Sequence, residues 1–158
     1  MNGRSRNLRI KPKRKTRRKY KSSIKHKKIQ KLDLDNPRPL NKKSVIIGVV
    51  YAKWCPHCKD LIPEEGDNNP IPRWQQTLDL IKQRASKNKK DIYYLTIEEG
   101  EIKNRNKLAK FNEKCKDISD QKLDANGYPT LFKITDGKLE KYTGPREPEN
   151  MANWFTNL

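Results

Sequence analysis

The tetrad Cys55-Pro56-His57-Cys58 holds the residue types and spacing in this chain that could do chemistry. Two thiols separated by two residues can close a disulfide and pass two electrons, because thiolate is the nucleophile of disulfide exchange. The same pair could instead be half of a zinc site, or two small buried residues with no chemistry. Zinc needs four ligands, and the other candidates are scattered. His57 lies between the cysteines, where it is poorly placed to join both, and His26 and Cys115 stand far along the chain. Cys115 continues the helical spacing of Leu108, Phe111 and Ile118, which suits a core residue. The redox reading leads, and zinc or an inert scaffold stays as an alternative. No metal and no cofactor is expected.

The surrounding elements must position the pair. Residues 45–52, VIIGVVYA, form a continuous apolar, β-branched run, the pattern of a strand covered on both faces. Pro56 follows at a helix's first turn, where its missing N–H costs nothing. Cys55 then occupies a helix N-terminus, whose unpaired N–H groups favour an anion, and Cys58 sits one turn deeper. On this expectation Cys55 attacks and Cys58 resolves the mixed disulfide. Trp54 and Pro56 are expected to keep water partly away while leaving the sulfur exposed, and His57 to stabilise the Cys55 thiolate.

Residues 63–72 read as a loop, and Pro72 to Lys87 as a helix with Trp74, Leu78, Ile81 and Ala85 on one face. Residues 91–98 read as a strand, 101–118 as a helix and 119–127 as a loop. Strands at 128–135 and 138–144 are joined by the Asp136-Gly137 turn. From Pro145 a short helix turns Met151, Trp154 and Phe155 inward. Parallel strands joined by helices, then a hairpin and a closing helix, predict a layered α/β domain with a mixed central sheet over residues 44–158.

Three blocks in this order carry a resemblance. YAKWCPHCK, GYPTLFKITDGK and Tyr142-Thr143-Gly144-Pro145-Arg146 resemble the active-site, cis-proline and closing-turn segments of thioredoxin-fold protein disulfide isomerase domains. The resemblance covers roughly residues 45–158 and implies a thiol-disulfide oxidoreductase that forms, reduces or isomerises protein disulfides through Cys55 and Cys58. It implies that Pro129 is cis and, with Tyr128 beside it, faces the pair and holds a substrate strand by backbone hydrogen bonds. A histidine at position 57 resembles the isomerases and the bacterial periplasmic oxidase, which implies a more oxidising disulfide. The implied partners are protein thiols or disulfides and a redox-recycling partner. Three departures stand out. Redox-active members carry a buried carboxylate six residues before the first cysteine, thought to relay a proton for the second, and Val49 stands there. The 70 residues between Cys58 and Pro129 exceed a minimal thioredoxin. An N-terminal strand and helix seen in many members are replaced by a basic arm.

That arm shows in the charge. Residues 1–43 hold 18 Lys/Arg against Asp33 and Asp35, a net of +16, and the other 115 residues hold 19 Lys/Arg against 17 Asp/Glu, a net of +2. Residues 1–31 read as disordered and 32–43 as a linker broken by Pro37 and Pro39. Like charges in such density suit an import signal or non-specific binding to nucleic acid or another polyanion, without base stacking. The alternative class is therefore a nucleic-acid-associated or virion structural protein that uses a thioredoxin scaffold. Three cysteines without periodic spacing exclude a disulfide framework. The first residues carry charge without the apolar run of a secretory leader, and no segment reaches the ~18 apolar residues of a membrane span. The expected compartment is cytosol or nucleus. An isomerase-like domain of this kind resembles the redox proteins of large eukaryotic DNA viruses, which implies a place in the virion.

Overall fold

In the computed structural model of the chain, residues 29–36, 39–62, 71–85, 90–100 and 106–158 are described. Their element order is β1 (Gln30–Lys31), β2 (Val45–Tyr51), α1 (Pro56–Lys59), α2 (Arg73–Ala85), β3 (Ile92–Glu98), α3 (Lys107–Cys115), β4 (Thr130–Thr135), β5 (Lys138–Lys141) and α4 (Pro148–Thr156). The five strands make one mixed sheet in the order β1-β3-β2-β4-β5.

β2 is central, parallel to β3 and antiparallel to β4. Both its faces are covered, which is why its sequence is apolar at every step rather than alternating. Val45, Ile47 and Val49 face α2 and α4, where they pack with Leu78, Ile81, Met151 and Phe155. Ile46 and Val50 face α3 and pack with Phe111, Phe132 and Leu95. Edge-on ring contacts knit each layer, Trp74 to Phe155 at 5.8 Å and Phe111 to Phe132 at 5.2 Å. Each fully buried phenylalanine contributes roughly 1.5–3 kcal/mol by burial alone. The hairpin turn takes positive φ at both Asp136 (52°) and Gly137 (84°), the conformation that matches strand twist in a two-residue loop.

The boundary expected at residue 44 falls inside the folded unit. β1 pairs in parallel with β3, Gln30 beside Tyr93 and Lys31 beside Tyr94, and the Leu32 N–H donates to the Tyr94 carbonyl at 2.8 Å. Ile29 packs on the α2/α4 layer and Leu32, 5% exposed, on the α3 layer, so this segment straddles the sheet edge. An N-terminal strand is thus present, although the sequence suggests its replacement. Two apolar residues in a charged run give no alternation long enough to read. Residues 1–28, most of the expected arm, lie outside the described residues.

Other boundaries also move. α1 is a single turn, and most of the loop expected at 63–72 lies outside the described residues. α3 is shorter than the 101–118 expected, with 101–105 outside the described residues. Its end turns over at Lys116, so the Ile118 N–H meets the Cys115 carbonyl at 3.0 Å. Trp154 is half-buried against the α2/α4 layer rather than fully inside it. No helix among the described residues is long and apolar enough to cross a membrane.

Candidate functional site

The site forms where β2 ends. Beyond Tyr51 the chain turns at Ala52, and the Cys55 N–H closes that turn on the Ala52 carbonyl at 3.1 Å. Cys55 is the N-cap of α1 in extended conformation, and Pro56 takes the first helical position. The Cys55 carbonyl accepts from the N–H groups of Cys58 at 3.0 Å and Lys59 at 3.3 Å, which places Cys58 one turn beneath it. A four-residue helix has little macrodipole, so what α1 presents at Cys55 is its unpaired N–H groups rather than a summed dipole.

Both thiols are free, and with Ala52 they form a small buried cluster against Tyr51 and Tyr128. Cys55 is 6% exposed and Cys58 1%. The expected roles of cover and sulfur are therefore exchanged: Trp54 is 67% exposed, while Cys55 is nearly covered. The Trp54 indole stands edge-on to Tyr128 at 5.8 Å. Gly100, at φ 115°, lies beside it, and a Cβ there would come within 2.9 Å of the indole Nε1.

The segment before β4 closes the site from the other side. The Tyr128–Pro129 peptide is cis, and the Cys55 Sγ donates to the Tyr128 carbonyl at 3.5 Å across 73 positions of sequence. Cys55, Cys58 and Tyr128 thus meet, with Pro129 next in the chain. His57 lines a cavity of ≈ 380 Å³ with Asp60, Arg73, Tyr142 and Arg146. Here the closing turn approaches the tetrad, held by the Tyr142 hydroxyl donating to the Pro145 carbonyl at 2.7 Å. Cys115 lies in the α3 layer, across the sheet from Leu61 and Val49, and burial pushes its thiol up to about 12.

Burial also pushes the Cys58 thiol up to about 11, and neighbouring Cys55 adds to this. A backbone hydrogen bond from Ala52 and the charge of Arg146 oppose it. Val49 is fully buried among Leu61, Trp74, Leu131 and Met151, so β2 brings hydrocarbon where a carboxylate was looked for. Sequence reasoning gave Arg146 no role at Cys58, and it passed over Glu99, whose Oε2 accepts from the Tyr128 hydroxyl at 2.8 Å.

With this geometry in view, comparison with known proteins gives a consistent result. No family model matches. Protein disulfide-isomerase 1 of Caenorhabditis elegans is 29% identical over 115 residues, covering 73% of this chain and 18% of that protein. A protein disulfide-isomerase of Medicago sativa is 29% identical over 114 residues, covering 72% and 17%. The chain spans less than a fifth of the length of these curated relatives. A crystal structure of human ERp44, form II, superposes with a TM-score of 0.50 at 21% identity, over 80% of this chain and 29% of that one. The fold is thioredoxin-like. In sequence this thioredoxin-like domain is similar to protein disulfide isomerases.

Proposed function

We propose that the chain is a thiol-disulfide oxidoreductase that exchanges disulfides with protein substrates through Cys55 and Cys58. The observation that carries this is the meeting of Cys55, at the start of α1, with the carbonyl of Tyr128 in the cis Tyr128–Pro129 segment. Cys55 has its sulfur toward a backbone stretch able to pair with an extended substrate strand, and Cys58 waits one turn behind. Similarity to protein disulfide isomerases supports the same chemistry. In this reading Cys55 thiolate attacks a substrate disulfide and one substrate sulfur leaves. Cys58 then attacks Cys55 Sγ, and the second substrate sulfur leaves as the Cys55–Cys58 disulfide closes. Trp54 offers an exposed apolar surface beside the sulfur, Pro56 sets the turn, and His57 modulates the pair from the side of the Arg73–Arg146 cavity. A thiol-bearing recycling partner restores the starting state.

Variants at the two sulfurs test this. Cys55→Ser should abolish reduction of a model protein disulfide. Cys58→Ser should accumulate mixed disulfides that survive non-reducing electrophoresis and vanish with reductant. Full activity in Cys55→Ser would remove the assignment.

The charge split favours a second, compatible reading. Residues 1–43 carry a net +16, a density suited to non-specific binding of nucleic acid or another polyanion, including packaged nucleic acid in a viral particle. DNA binding across a salt series, by the full chain and by a chain lacking residues 1–28, tests it.

A further inference from the structure

The cavity of ≈ 380 Å³ beside the tetrad is walled by three elements. His57 lies on α1 with Asp60 at its end, Arg73 opens α2, and Tyr142 and Arg146 belong to the closing turn. Backbone bonds hold these walls together. The Trp74 N–H donates to the Leu61 carbonyl at 3.1 Å, which ties α2 to the segment after α1. The Tyr142 N–H donates to the Leu131 carbonyl at 2.9 Å, which ties the closing turn to β4. The Tyr142 ring lies against Gly144, where an added Cβ would come within 2.6 Å of the hydroxyl oxygen. Covalent geometry puts the cavity beside the sulfur: His57 is two positions from Cys55, so their Cα atoms are at most about 7 Å apart. The charges that line it are unevenly paired. Arg73 Nη1 is held by Glu147 Oε1 at 3.3 Å. Arg146 and Asp60 are both exposed, and neither makes an ion pair with another described residue. Arg146 therefore presents a planar fork of N–H donors, the shape that pairs with both oxygens of a carboxylate.

We infer that Arg146 binds a carboxylate of the substrate, so that the chain favours disulfides whose cysteine has an Asp or Glu within about three residues. The inference rests on the exchange function proposed above and names a substrate class for it. An extended substrate strand advances roughly 3.3 Å per residue, so a side chain two or three residues from the cysteine that meets Cys55 spans the distance to this cavity. Glu147 occupies Arg73, which leaves Arg146 as the guanidinium that receives the acid. Asp60, on another wall of the same cavity, opposes it and limits the preference. An amide in place of the acid keeps the shape and loses the charge. An exposed guanidinium gains little from one such contact, so the selection is a modest difference in rate between substrates rather than tight binding.

The test uses the full chain and a pair of synthetic peptides, each carrying one cysteine as a mixed disulfide with uncharged pyridine-2-thiol. The peptides differ only two residues to either side of the cysteine, where one has Glu and the other Gln. Attack by Cys55 on the peptide sulfur releases the pyridine thiol, whose absorbance gives the rate. The readout is the Glu-to-Gln ratio of rates within each protein, which cancels any effect of a variant on the cysteine pair itself. In the unsubstituted chain the Glu peptide should react roughly 3-fold faster at low salt, the size of an exposed ion pair. That advantage should shrink as salt rises from about 50 to about 500 mM. Arg146→Gln should bring the two rates together, and Asp60→Asn should widen their gap. Lys138→Gln removes the same charge from the hairpin end of the sheet and should leave the ratio unchanged. Equal rates for the two peptides in the unsubstituted chain would overturn the proposal. So would a Glu advantage that survives Arg146→Gln, one that narrows in Asp60→Asn, or one that falls as far in Lys138→Gln. No release of pyridine thiol from either peptide would instead overturn the exchange function itself, and the proposal with it.

Discussion

Cys58 and Cys115 are both thiols buried to within 2% of full cover, at 1% and 2% exposure, and burial keeps both protonated far above the ordinary thiol range. This has a consequence for stability. A thiol whose folded pKa exceeds its unfolded value contributes stability fully present below the unfolded value, ~8.5, and lost as pH rises toward the folded one. The unfolded chain gives up those protons first, so alkali draws the equilibrium toward it. Between about pH 8.5 and about pH 10 the loss should steepen from roughly 0.7 toward roughly 1.4 kcal/mol per pH unit for each of the two thiols. Urea midpoints across that window measure the slope, and Cys115→Ala should remove about half of it. An undiminished slope in that variant would mean that Cys115 is not held protonated. At this scale the sequence was legible where chemistry is local. CPHC shows its spacing directly, and GYPT marks its own turn. Glu99 was not legible, because its bond to Tyr128 spans 29 positions and it falls between the strand read at 91–98 and the helix read at 101–118. Arg146 stood in a recognisable block, but nothing in that block says that its charge reaches Cys58.

Among elements, the readable ones are those whose burial repeats. β2 declares itself by an unbroken apolar run, and α2 by Trp74, Leu78, Ile81 and Ala85, all buried as their spacing requires. Elements with one turn or one bridge have no period to read. That is why the end of α1 has no signal in the sequence and β1 falls inside the stretch read as a basic arm. Lys133 shows a different limit. It occupies a covered position on β4, 5% exposed, where sequence would place a hydrophobe. Its Nζ donates to the carbonyls of Trp154 at 3.1 Å and Asn157 at 2.9 Å and lies 4.5 Å from the Trp154 ring centre. These carbonyls lie in the last turn of α4 and at its C-cap, where helix carbonyls lack intrahelical partners, so a buried cation satisfies them. The carbonyl partners lie more than 20 positions away, and Glu140 on β5 adds an ion pair at 3.5 Å.

At the scale of the molecule, the described thioredoxin-like fold takes in residues from Ile29 onward, and residues 1–28 are strongly basic in sequence. Because Gln30 and Lys31 pair with β3 and Leu32 is buried, a cut at residue 43 would strip an edge strand and part of the core. Residues 1–28 carry 14 Lys/Arg and no acid, so the charge can be removed without touching that strand. If this segment binds polyanions, the full chain should bind duplex DNA with little sequence preference. Neutralising ~6–10 phosphates would cost about 10³–10⁵ in affinity between about 50 and about 200 mM salt. The chain lacking residues 1–28 should lose this binding and keep disulfide exchange. Tight binding that persists in the truncated chain, or its absence from the full chain at low salt, would contradict this role for the extension.

If Cys55 and Cys58 form a redox couple, the two must equilibrate with glutathione as one unit. The full chain is brought to equilibrium in glutathione buffers of graded potential, its thiols are trapped by acid and alkylation, and the modified cysteines are identified by mass. The expected result is one two-electron transition, with a tenfold change in the equilibrium over ~30 mV, in which Cys55 and Cys58 are oxidised together and Cys115 stays a thiol throughout. A pair that remains reduced at every potential, or a disulfide that includes Cys115, would contradict it.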